Sequence, residues 1–577
     1  MEPINPVRKV SGGVGSINRI GTGTLGGKAN GLIFIEETLR SKFDAERFLK
    51  ISVGIPRMTV IAADFFTAFM EQNDLHSIAY SDLPDDRIAH AFLKADLPAE
   101  LVGDLRSIAS QVRVPLAVRS SSLLEDALYR PFAGVYATKM IPNNQPDVDT
   151  RYRKLVEAIK FVYASTFFKN AKKYIQSIDE DPRAEKMAVI IQEMVGQQFG
   201  DRFYPNLSGV ARSFNFYPYG HAQPEDGVVD LALGLGKTVV DGGQVWSYCP
   251  TFPKSPPPYN NTCDILKNTQ TEFWAVNMGK PPAYDPIRET EYMVQHGLSE
   301  ADYDSTLRFV ASTYKPSSDR IVPGVGSDGP RVIDFAPILV LNDIPLNYLV
   351  GELLVACEEA LKTDVEIEFA MTFSRDGGLP AQLGFLQVRP MVVSSESMDI
   401  PLERLDENDV LVATEKALGN SRREDIEDIV YVRPSTFDTK STNLIADELE
   451  KINSSLGRER RPYLLIGFGR WGTSDPWRGI PVTWDQVSWA RVIVEAQIPG
   501  VQTDMSQGSH FFHNLTSFKV SYFSFPQRGK HDIDFNWLRS QREITKTSFV
   551  RHVRSAHPLS IRVDGRSGRG IILRHGG

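Results

Sequence analysis

Three groups of residues in this 577-residue chain have types and spacing that could bind phosphate or a metal ion. The first is Gly26-Gly27-Lys28, which precedes a segment from Gly31 to Leu39 with helical spacing. Glycines let backbone N–H groups approach a phosphate, a helix N-terminus favours negative charge, and the lysine adds a mobile cation. The spacing is not that of the G-x-x-x-x-G-K-S/T phosphate loop. A plain glycine turn with a solvated lysine is therefore the alternative.

The second group follows an apolar stretch, 114–118, that predicts a short strand running straight into a polar turn. Arg119 begins this turn and is followed by three serines and then by Glu125 and Asp126. An arginine at a strand end beside three hydroxyls suits a phosphate or another oxyanion. The alternative is a structural ion pair between Arg119 and one of the two carboxylates.

The third group lies on two short predicted strands, with Glu366 and Glu368 on one and Gln387 and Arg389 on the other. Residues i and i+2 of a strand point to the same face, so each pair projects together. Two carboxylates, an amide oxygen and a guanidinium on one sheet face could form a Mg²⁺-triphosphate site, because oxygen ligands hold Mg²⁺ and arginine neutralises phosphate charge. A solvent-facing strand pair with complementary charges is the alternative.

The elements that position these groups follow from apolar periodicity, which predicts a mixed α/β protein. Helices are predicted at 31–39, from about 64, and at 85–112, 151–178, 346–362, 442–455 and 484–496; strands at 51–53, 114–118, 187–195, 366–371, 384–388, 463–466 and 520–525. Residues 1–25 are rich in Gly, Ser and Pro and predict a flexible lead. A polar stretch near 395–400 predicts a boundary before a second unit at 405–577.

Composition narrows the class of protein. The chain has 64 Lys+Arg against 72 Asp+Glu, a net charge of −8, which argues against general nucleic-acid binding. Three cysteines cannot form a disulfide framework and fit a reducing compartment. No apolar stretch approaches the roughly 20 residues of a membrane span, and the N-terminus lacks a signal-peptide core. We therefore expect a cytoplasmic protein.

Taken in order, these motifs resemble the nucleotide-binding domain of the phosphoenolpyruvate synthase and pyruvate phosphate dikinase family, which rifampin phosphotransferase and glucan water dikinase share. The resemblance rests on GGKANGL at 26–32, GIPRMTVIAADFF at 54–66, RSSSLLEDALYRPFAGVYAT at 119–138, VIIQEMV at 189–195, LSGVA at 207–211, GLGKTVVDG at 234–242, EIEFA at 366–370 and FLQVRPM at 385–391. It covers roughly residues 25–391.

The resemblance implies an ATP-grasp fold over residues 26–395, with subdomains at about 26–195 and 196–395. It implies ATP and Mg²⁺ as cofactors. The residues that it assigns are Lys28 and Arg119 to the phosphates, Gly134 and Thr138 to the same loop, Gln192 to the adenine, Glu368, Gln387 and Glu366 to the metal, and Arg389 to the transferring group. Two positions depart from the family pattern, because Lys237 replaces a glutamate and Glu366 replaces an aspartate.

The second unit, 405–577, more weakly resembles the family's swivelling phosphohistidine domain. In the family, a strand is followed by a Gly-Ser/Thr-His turn and then a helix. Here Val492 to Glu495 corresponds to the strand and His510 to the histidine of the turn, and His513 is the second candidate for the phosphorylated residue. An exposed imidazole on such a turn could attack phosphorus, with backbone N–H groups from Gly508 and Ser509 steadying the phosphorylated form. The alternatives are a metal site formed by the two histidines and histidines buried in a core.

A stretch dense in Gly, Trp and Arg precedes this histidine. Arginines could clamp an anion there and tryptophans could stack on a ring or sugar, although packing of the loop against a core explains the same letters. The candidate pocket residues are Gly467, Gly469, Arg470, Trp471, Gly472, Asp475 and Arg478. The family's barrel for pyruvate has no counterpart in the roughly 180 residues after the nucleotide domain, so pyruvate is not implied.

Two hypotheses follow. The first is a dikinase-type phosphotransferase that passes a phosphoryl group from ATP through His510 to a small molecule or carbohydrate, with no membrane or nucleic-acid partner. The second is an ATP-binding sensor or scaffold whose C-terminal unit binds a partner. Lys237 and the altered histidine stretch favour the second hypothesis, and the intact set Glu368, Gln387 and Arg389 favours the first.

Overall fold

The computed structural model describes residues 8–9, 17–125, 134–177, 181, 183–259, 261–374, 380–391, 393, 400, 409–473, 475–497, 509–525 and 533–574. The chain divides into two compact units. The first comprises Met1–Ser213, Gly227–Val239 and Gln244–Met391, and the second comprises Phe214–Asp226, Val240–Gly243 and Val392–Gly577. Sequence reasoning did not anticipate the two short segments of the second unit that precede residue 392.

The first sheet of the first unit carries the arginine-serine motif. Its strands are, in spatial order, Arg8–Lys9, Ile17–Ile20, Met58–Ile61, Met187–Glu193, Leu116–Ser122 and Thr138–Ile141. The central strand Met187–Glu193 is buried along almost its whole length, as its β-branched run predicts. Leu116–Ser122 pairs with it in antiparallel register, so that Arg119 lies opposite Ile190.

The second sheet carries the acidic motif. Its strands are, in spatial order, Trp246–Tyr248, Val228–Ala232, Leu207–Arg212, Val365–Thr372, Ala381–Pro390 and Ile51–Gly54. In the antiparallel pair at its centre, Glu366 lies opposite Arg389 and Glu368 opposite Gln387. The register shifts after Glu368, because Phe369 pairs with Phe385 and leaves Leu386 without a partner in the ladder. This β-bulge lies directly beside the motif.

Two smaller sheets and a set of helices complete the described part of the first unit. The strands of the four-stranded sheet are, in spatial order, Met293–Gly297, Glu272–Asn277, Arg202–Tyr204 and Gln197–Phe199. Those of the three-stranded sheet are Arg320–Pro323, Ala311–Lys315 and Arg331–Ile333. The helices are Gly26–Lys42, Ala63–Gln72, His76–Ala79, Asp85–Lys94, Glu100–Gln111, Val148–Ser165, Lys169–Ser177, Thr262–Asn268, Leu298–Tyr303, Ala336–Leu339 and Leu346–Leu361, with Lys237–Val240 at the division between the units. Gly26–Lys42 and Leu346–Leu361 pack their apolar faces into one core with both larger sheets.

The second unit is built on a nine-stranded sheet. Its strands are, in spatial order, Val410–Thr414, Arg569–Leu573, Val550–Asp564, Asn420–Val432, Tyr463–Phe468, Ala490–Ala496, Ser521–Phe525 and Ala417–Leu418, and Arg542–Lys546 pairs with Val550–Asp564. The four consecutive strands from Asn420–Val432 to Ser521–Phe525 are parallel. The helices are Thr442–Arg458, Trp484–Val487, His510–Ser517 and Phe535–Ser540, and a two-stranded ribbon joins Arg470–Trp471 to Gly479–Ile480.

Several predicted elements differ from the structure. The N-terminal lead predicted to be flexible contains the strand Ile17–Ile20, which pairs with Met58–Ile61. The helix predicted at 85–112 is two helices, because Pro98 interrupts it, and the helix predicted at 151–178 is also two.

The first helix begins at Gly26, not Gly31, so the glycine pair forms its first turn. The strand predicted to end at residue 118 continues to Ser122, because its three serines pair with Met187–Val189 and are fully buried. The helix predicted at 484–496 is wrong. Its second half is the strand Ala490–Ala496, whose Val-Ile-Val run is β-branched.

Within the described residues, no helix is both long and apolar enough to cross a lipid bilayer.

Candidate nucleotide-binding site

Lys28 is buried and paired with a carboxylate. Its ammonium lies 2.6 Å from Glu125 Oε1 and donates to Ser120 Oγ at 3.2 Å. Glu125 also accepts hydrogen bonds from the hydroxyl of Ser120 and from the backbone N–H of Ser122. Lys28 is 7% exposed and Glu125 is 1% exposed. The solvated lysine of the alternative interpretation is therefore excluded, and Lys28 is held at the start of the first helix.

The two glycines before Lys28 let the helix approach the arginine-serine strand. Gly26 has φ +77°, and a Cβ there would lie 2.0 Å from the backbone oxygen of Ser121. A Cβ on Gly27 would lie 1.7 Å from the backbone oxygen of Glu125. Since neither backbone atom can move aside cheaply, only glycine fits. Close packing of backbone against backbone explains these glycines and places Lys28 beside Glu125.

Replacing Gly27 by alanine is expected to destabilise the first unit by about 3 kcal/mol or more, because the new methyl group overlaps a backbone oxygen. Gly103→Ala is the matched control. Gly103 also lies in a helix, but a Cβ there meets nothing within 4 Å, so this change should stabilise by roughly 0.5–1 kcal/mol. Urea denaturation of both variants measures the difference. Equal effects of the two substitutions would contradict the packing argument.

Arg119 connects the first sheet to the second. Its guanidinium donates to Gln192 Oε1 at 3.2 Å, to Gln387 Oε1 at 2.7 Å and to the carbonyl of Leu386 at 3.1 Å. That carbonyl belongs to the bulged residue, so the bulge turns a backbone acceptor towards the arginine. Arg119 makes no ion pair with Glu125, which contacts Lys28 instead, and Asp126 lies outside the described residues.

The acidic motif forms a buried ladder of alternating charges. Glu366 Oε2 lies 2.6 Å from Arg212 Nη2, and Glu366 Oε1 lies 3.2 Å from Arg389 Nη1. The other terminal nitrogen of Arg389 lies 3.0 Å from Glu368 Oε1. Glu366 and Arg389 are only 2% and 4% exposed, so the solvent-facing strand pair of the alternative interpretation is excluded. Arg389 touches both glutamates, which confirms that all three side chains share one face.

The structure brings most of the predicted residues into two adjoining groups. Arg119, Gln192 and Gln387 form one group, and Glu366, Glu368 and Arg389 form the other. Gln387 links them, since it contacts Arg119 and lies opposite Glu368 in the ladder. Lys28 belongs to neither group. Among the described residues, its connection to Arg119 is through Ser120, the next residue of the same strand.

Two buried polar atoms in these groups have capacity to bind a ligand. Gln192 is 2% exposed, and its Nε2 has no hydrogen-bond partner among the described residues. Glu368 Oε1 is buried and forms the ion pair with Arg389, but it accepts no hydrogen bond there. Buried polar groups are nearly always satisfied, so these atoms fit a site in which a nucleotide accepts from Gln192 and a cation binds Glu368.

The predicted metal residues differ in how free their oxygens are. Both oxygens of Glu366 face arginines, and Gln387 Oε1 accepts from Arg119. Glu368 contacts one arginine where Glu366 contacts two, so it is the less engaged of the two carboxylates. No cluster of three or more His, Cys, Asp or Glu side chains that could hold a metal occurs in the described ranges. These residues therefore fit Mg²⁺ only in its usual nucleotide-bound form, with one or two carboxylates and substrate phosphates as ligands.

The resemblance assigned Gly134 and Thr138 to one loop, but Thr138 is the first residue of the strand Thr138–Ile141. Thr138 pairs with Arg119 across neighbouring strands, and its N–H donates to Glu289 at 2.9 Å. Gly134 is exposed and has φ +66°. Lys237, the departure from the family pattern, places its ammonium 5.8 Å from the centre of the Trp274 ring. The face of the indole therefore attracts the ammonium of Lys237, an interaction that the family's negatively charged glutamate could not make.

His510 and His513 lie on the eight-residue helix His510–Ser517 of the second unit. Ser509 caps this helix by accepting from the N–H of Phe512. His510 is partly exposed at the first position, whereas His513 is 5% exposed, one turn later. Gly508, a predicted contributor of a backbone N–H group, lies outside the described residues. Of the two imidazoles, His510 is the more accessible.

Sequence reasoning missed two partners in the site. The sequence predicted Glu125 only as an alternative partner for Arg119, whereas in the structure it pairs with Lys28. Arg212 directly follows the LSGVA motif and clasps Glu366 from the neighbouring strand. An arginine one residue beyond a motif strand, opposite an acidic motif, was the available signal.

A mixed α/β unit that gathers these arginines, glutamines and carboxylates between two sheets is a nucleotide-binding domain of the ATP-grasp class. Residues 22–409 match the family model described as pyruvate phosphate dikinase, AMP/ATP-binding domain. The chain therefore belongs to this family, whose members are dikinase-type phosphotransferases that bind ATP. A comparison with curated proteins gave no match.

Proposed function

We propose that this protein is an ATP-dependent phosphotransferase of the dikinase type, which passes a phosphoryl group from Mg-ATP through a histidine to a small-molecule or carbohydrate acceptor. The observation that carries this proposal is the junction at Arg119, where side chains of both sheets meet within the matched domain. The junction contains a fixed cation, an amide donor on Gln192 without a partner among the described residues and, opposite Gln387 in the ladder, the carboxylate of Glu368, which contacts a single arginine.

The chain's own residues would divide the work as follows. Arg119 and Lys28 bind phosphate oxygens, and Gln192 donates to the adenine. Glu368 and Gln387 would hold Mg²⁺, which when bound supplies charge neutralisation for the phosphates. Arg389, fixed between two glutamates, would stabilise negative charge on the group in transfer. Glu366 would act as a further metal ligand only after one of its two arginines turns away.

His510 would accept the phosphoryl group. Its partial exposure at the first position of a capped helix supports this role, because a nucleophile must be reachable and a helix N-terminus stabilises phosphate. His513 is buried and is the weaker candidate.

Incubation of the protein with ATP labelled at the β-phosphorus should yield AMP, an acid-labile phosphoprotein that carries the β-phosphoryl group, and inorganic phosphate formed from the γ-phosphate and water. His510→Asn should abolish the label on the protein. His513→Asn is the matched control on the same helix and should retain it. Chromatography that separates AMP from ADP, together with acid treatment of the labelled protein, measures both products. A label that survives in His510→Asn but not in His513→Asn would move the role to His513. A label that survives in both would exclude this helix.

The sensor or scaffold hypothesis has its own support, because Lys28 is engaged by Glu125 and Lys237 lies over Trp274. The same assay distinguishes the two. A sensor would bind ATP with measurable affinity, yet produce neither AMP nor phosphoprotein.

A further inference from the structure

The second unit contains a small cavity beyond the carboxyl ends of two parallel strands. Tyr463–Phe468 leads into Arg470, and Ala490–Ala496 ends next to Glu495. In open α/β sheets, ligands bind in the crevice outside the carboxyl ends of the strands. The cavity has a volume of about 20 Å³, enough for a water molecule or a similarly small polar group. Its walls are Gly242, Arg470, Trp471, Gly472, Thr473, Glu495, Ser509, Phe511, Phe512, Leu515 and Tyr522.

Arg470 is the main charge in this wall. It is 5% exposed, and its Nη1 donates to the carbonyl of Gly242 at 3.3 Å. Its buried Nε has no hydrogen-bond partner among the described residues, and the carboxylate of Glu495 in the same wall lies near enough to interact with its charge. A buried guanidinium with an unsatisfied N–H is costly, unless an anion pairs with it.

Three glycines pack closely against residues of the cavity wall, namely Arg470, Trp471 and Phe511. A Cβ on Gly479 would lie 2.0 Å from the backbone oxygen of Arg470. A Cβ on Gly467 would lie 2.3 Å from the indole of Trp471, and one on Gly472 would lie 2.2 Å from the ring of Phe511. The glycine-rich stretch noted in the sequence therefore packs tightly. This packing holds the Arg470 guanidinium at the cavity before a ligand arrives, so binding costs little side-chain conformational entropy.

Two other parts of the cavity wall affect how well an anion can bind, the helix start at Ser509 and the side chain of Glu495. Ser509 places the N-terminus of the helix His510–Ser517 at the cavity, and helix N-termini favour negative charge. Glu495 accepts a hydrogen bond from the hydroxyl of Tyr522. Burial raises the pKa of Glu495, which reduces its repulsion of an incoming anion.

We propose that this cavity binds one oxygen atom of an oxyanion, a phosphoryl or carboxylate group at the end of a small ligand, with Arg470 as its main contact. The apolar wall formed by Trp471, Phe511 and Phe512 excludes water from that contact and strengthens it. If the phosphotransferase function proposed above holds, this oxyanion belongs to the acceptor. The anion site itself does not depend on that function.

Binding of inorganic phosphate and of acetate is measured by titration calorimetry on the full chain carrying Arg119→Met, which removes a phosphate contact of the nucleotide site. Phosphate should bind, and Arg470→Met should weaken its binding by about tenfold to a hundredfold, the worth of a lost charge-assisted hydrogen bond. If acetate also binds and Arg470→Met weakens its binding, the site accepts both carboxylate and phosphoryl groups. If acetate does not bind, the site is restricted to phosphoryl groups. Glu495→Gln should tighten binding, because it removes a carboxylate that competes with the ligand for Arg470.

Arg491→Met is the matched control, since Arg491 lies on the strand of Glu495 but donates to the carbonyl of Ser488 and does not line the cavity. Circular dichroism checks that each variant folds, and Arg470→Lys, which keeps the charge and loses the fork, replaces Arg470→Met if it does not. The proposal would be overturned if the Arg119→Met protein did not bind phosphate, or if it bound phosphate equally well with Arg470 and with methionine in its place. Phosphate binding in a protein that forms no phosphohistidine would retain the anion site and remove only the acceptor.

Discussion

Replacing Lys28 by methionine is expected to abolish ATP binding and to destabilise the first unit by about 3–5 kcal/mol, because Glu125 is left buried without its cation. The double variant Lys28→Met with Glu125→Gln removes the stranded charge, so it should regain most of the stability but none of the ATP affinity. Urea denaturation and titration calorimetry with Mg-ATP measure the two quantities separately. Lys28 then has two roles, one in the fold and one at the phosphates.

An exposed ion pair is the control for this prediction. Arg106 and Asp149 lie 2.7 Å apart, with side chains 51% and 70% exposed. Arg106→Met should therefore cost at most about 1 kcal/mol and leave ATP binding unchanged. If the double variant at Lys28 and Glu125 bound ATP as tightly as the parent, Lys28 would be a purely structural residue and its assignment to the phosphates would be wrong.

Replacing Arg119 by methionine is expected to weaken ATP binding by about a hundredfold, because its guanidinium is the fixed cation at the junction of the two sheets. Arg119→Lys should recover only part of this loss, since an ammonium cannot reach Gln192 and Gln387 together. Calorimetric titration of both variants with Mg-ATP measures the effect.

Adenosine provides the internal control for Arg119. It lacks the phosphates, so its affinity should change little in either variant. An equal loss for adenosine and ATP would mean that Arg119 acts by positioning Gln192 and Leu386 rather than by binding phosphate. The role of Arg119 would then be confined to joining the two sheets.

The acidic motif could be predicted from sequence because it depends on local alternation. Glu366 and Glu368 are two residues apart on one strand, so both must face the same way, and Arg389 on the next strand reaches both. The order of the motifs indicated the family, and the match over residues 22–409 confirms that family.

The environment of Lys28 could not be predicted, because it depends on contacts between segments that are distant in sequence. The approach of Gly27 to the backbone of Glu125 spans almost a hundred positions, and it sets which carboxylate the ammonium meets. The same limit explains the strand that was predicted to end before Arg119. Three serines read as a turn from composition, yet pairing with Met187–Val189 extends the strand through them.

The buried charges of the first unit favour a preorganised site. Arg389 is held by Glu366 and Glu368, and Arg212 holds Glu366 in turn. Groups fixed in this way need little rearrangement when negative charge arrives, which is how enzymes lower the cost of charge development.

A crystal structure of the full chain with adenylyl imidodiphosphate and Mg²⁺ tests the central claim most directly. We expect one nucleotide in the first unit, with its phosphates contacting Arg119, the metal on Glu368, and Lys28 donating to a phosphate oxygen as well as to Glu125. A nucleotide bound away from these side chains, with Lys28 contacting no phosphate, would contradict it.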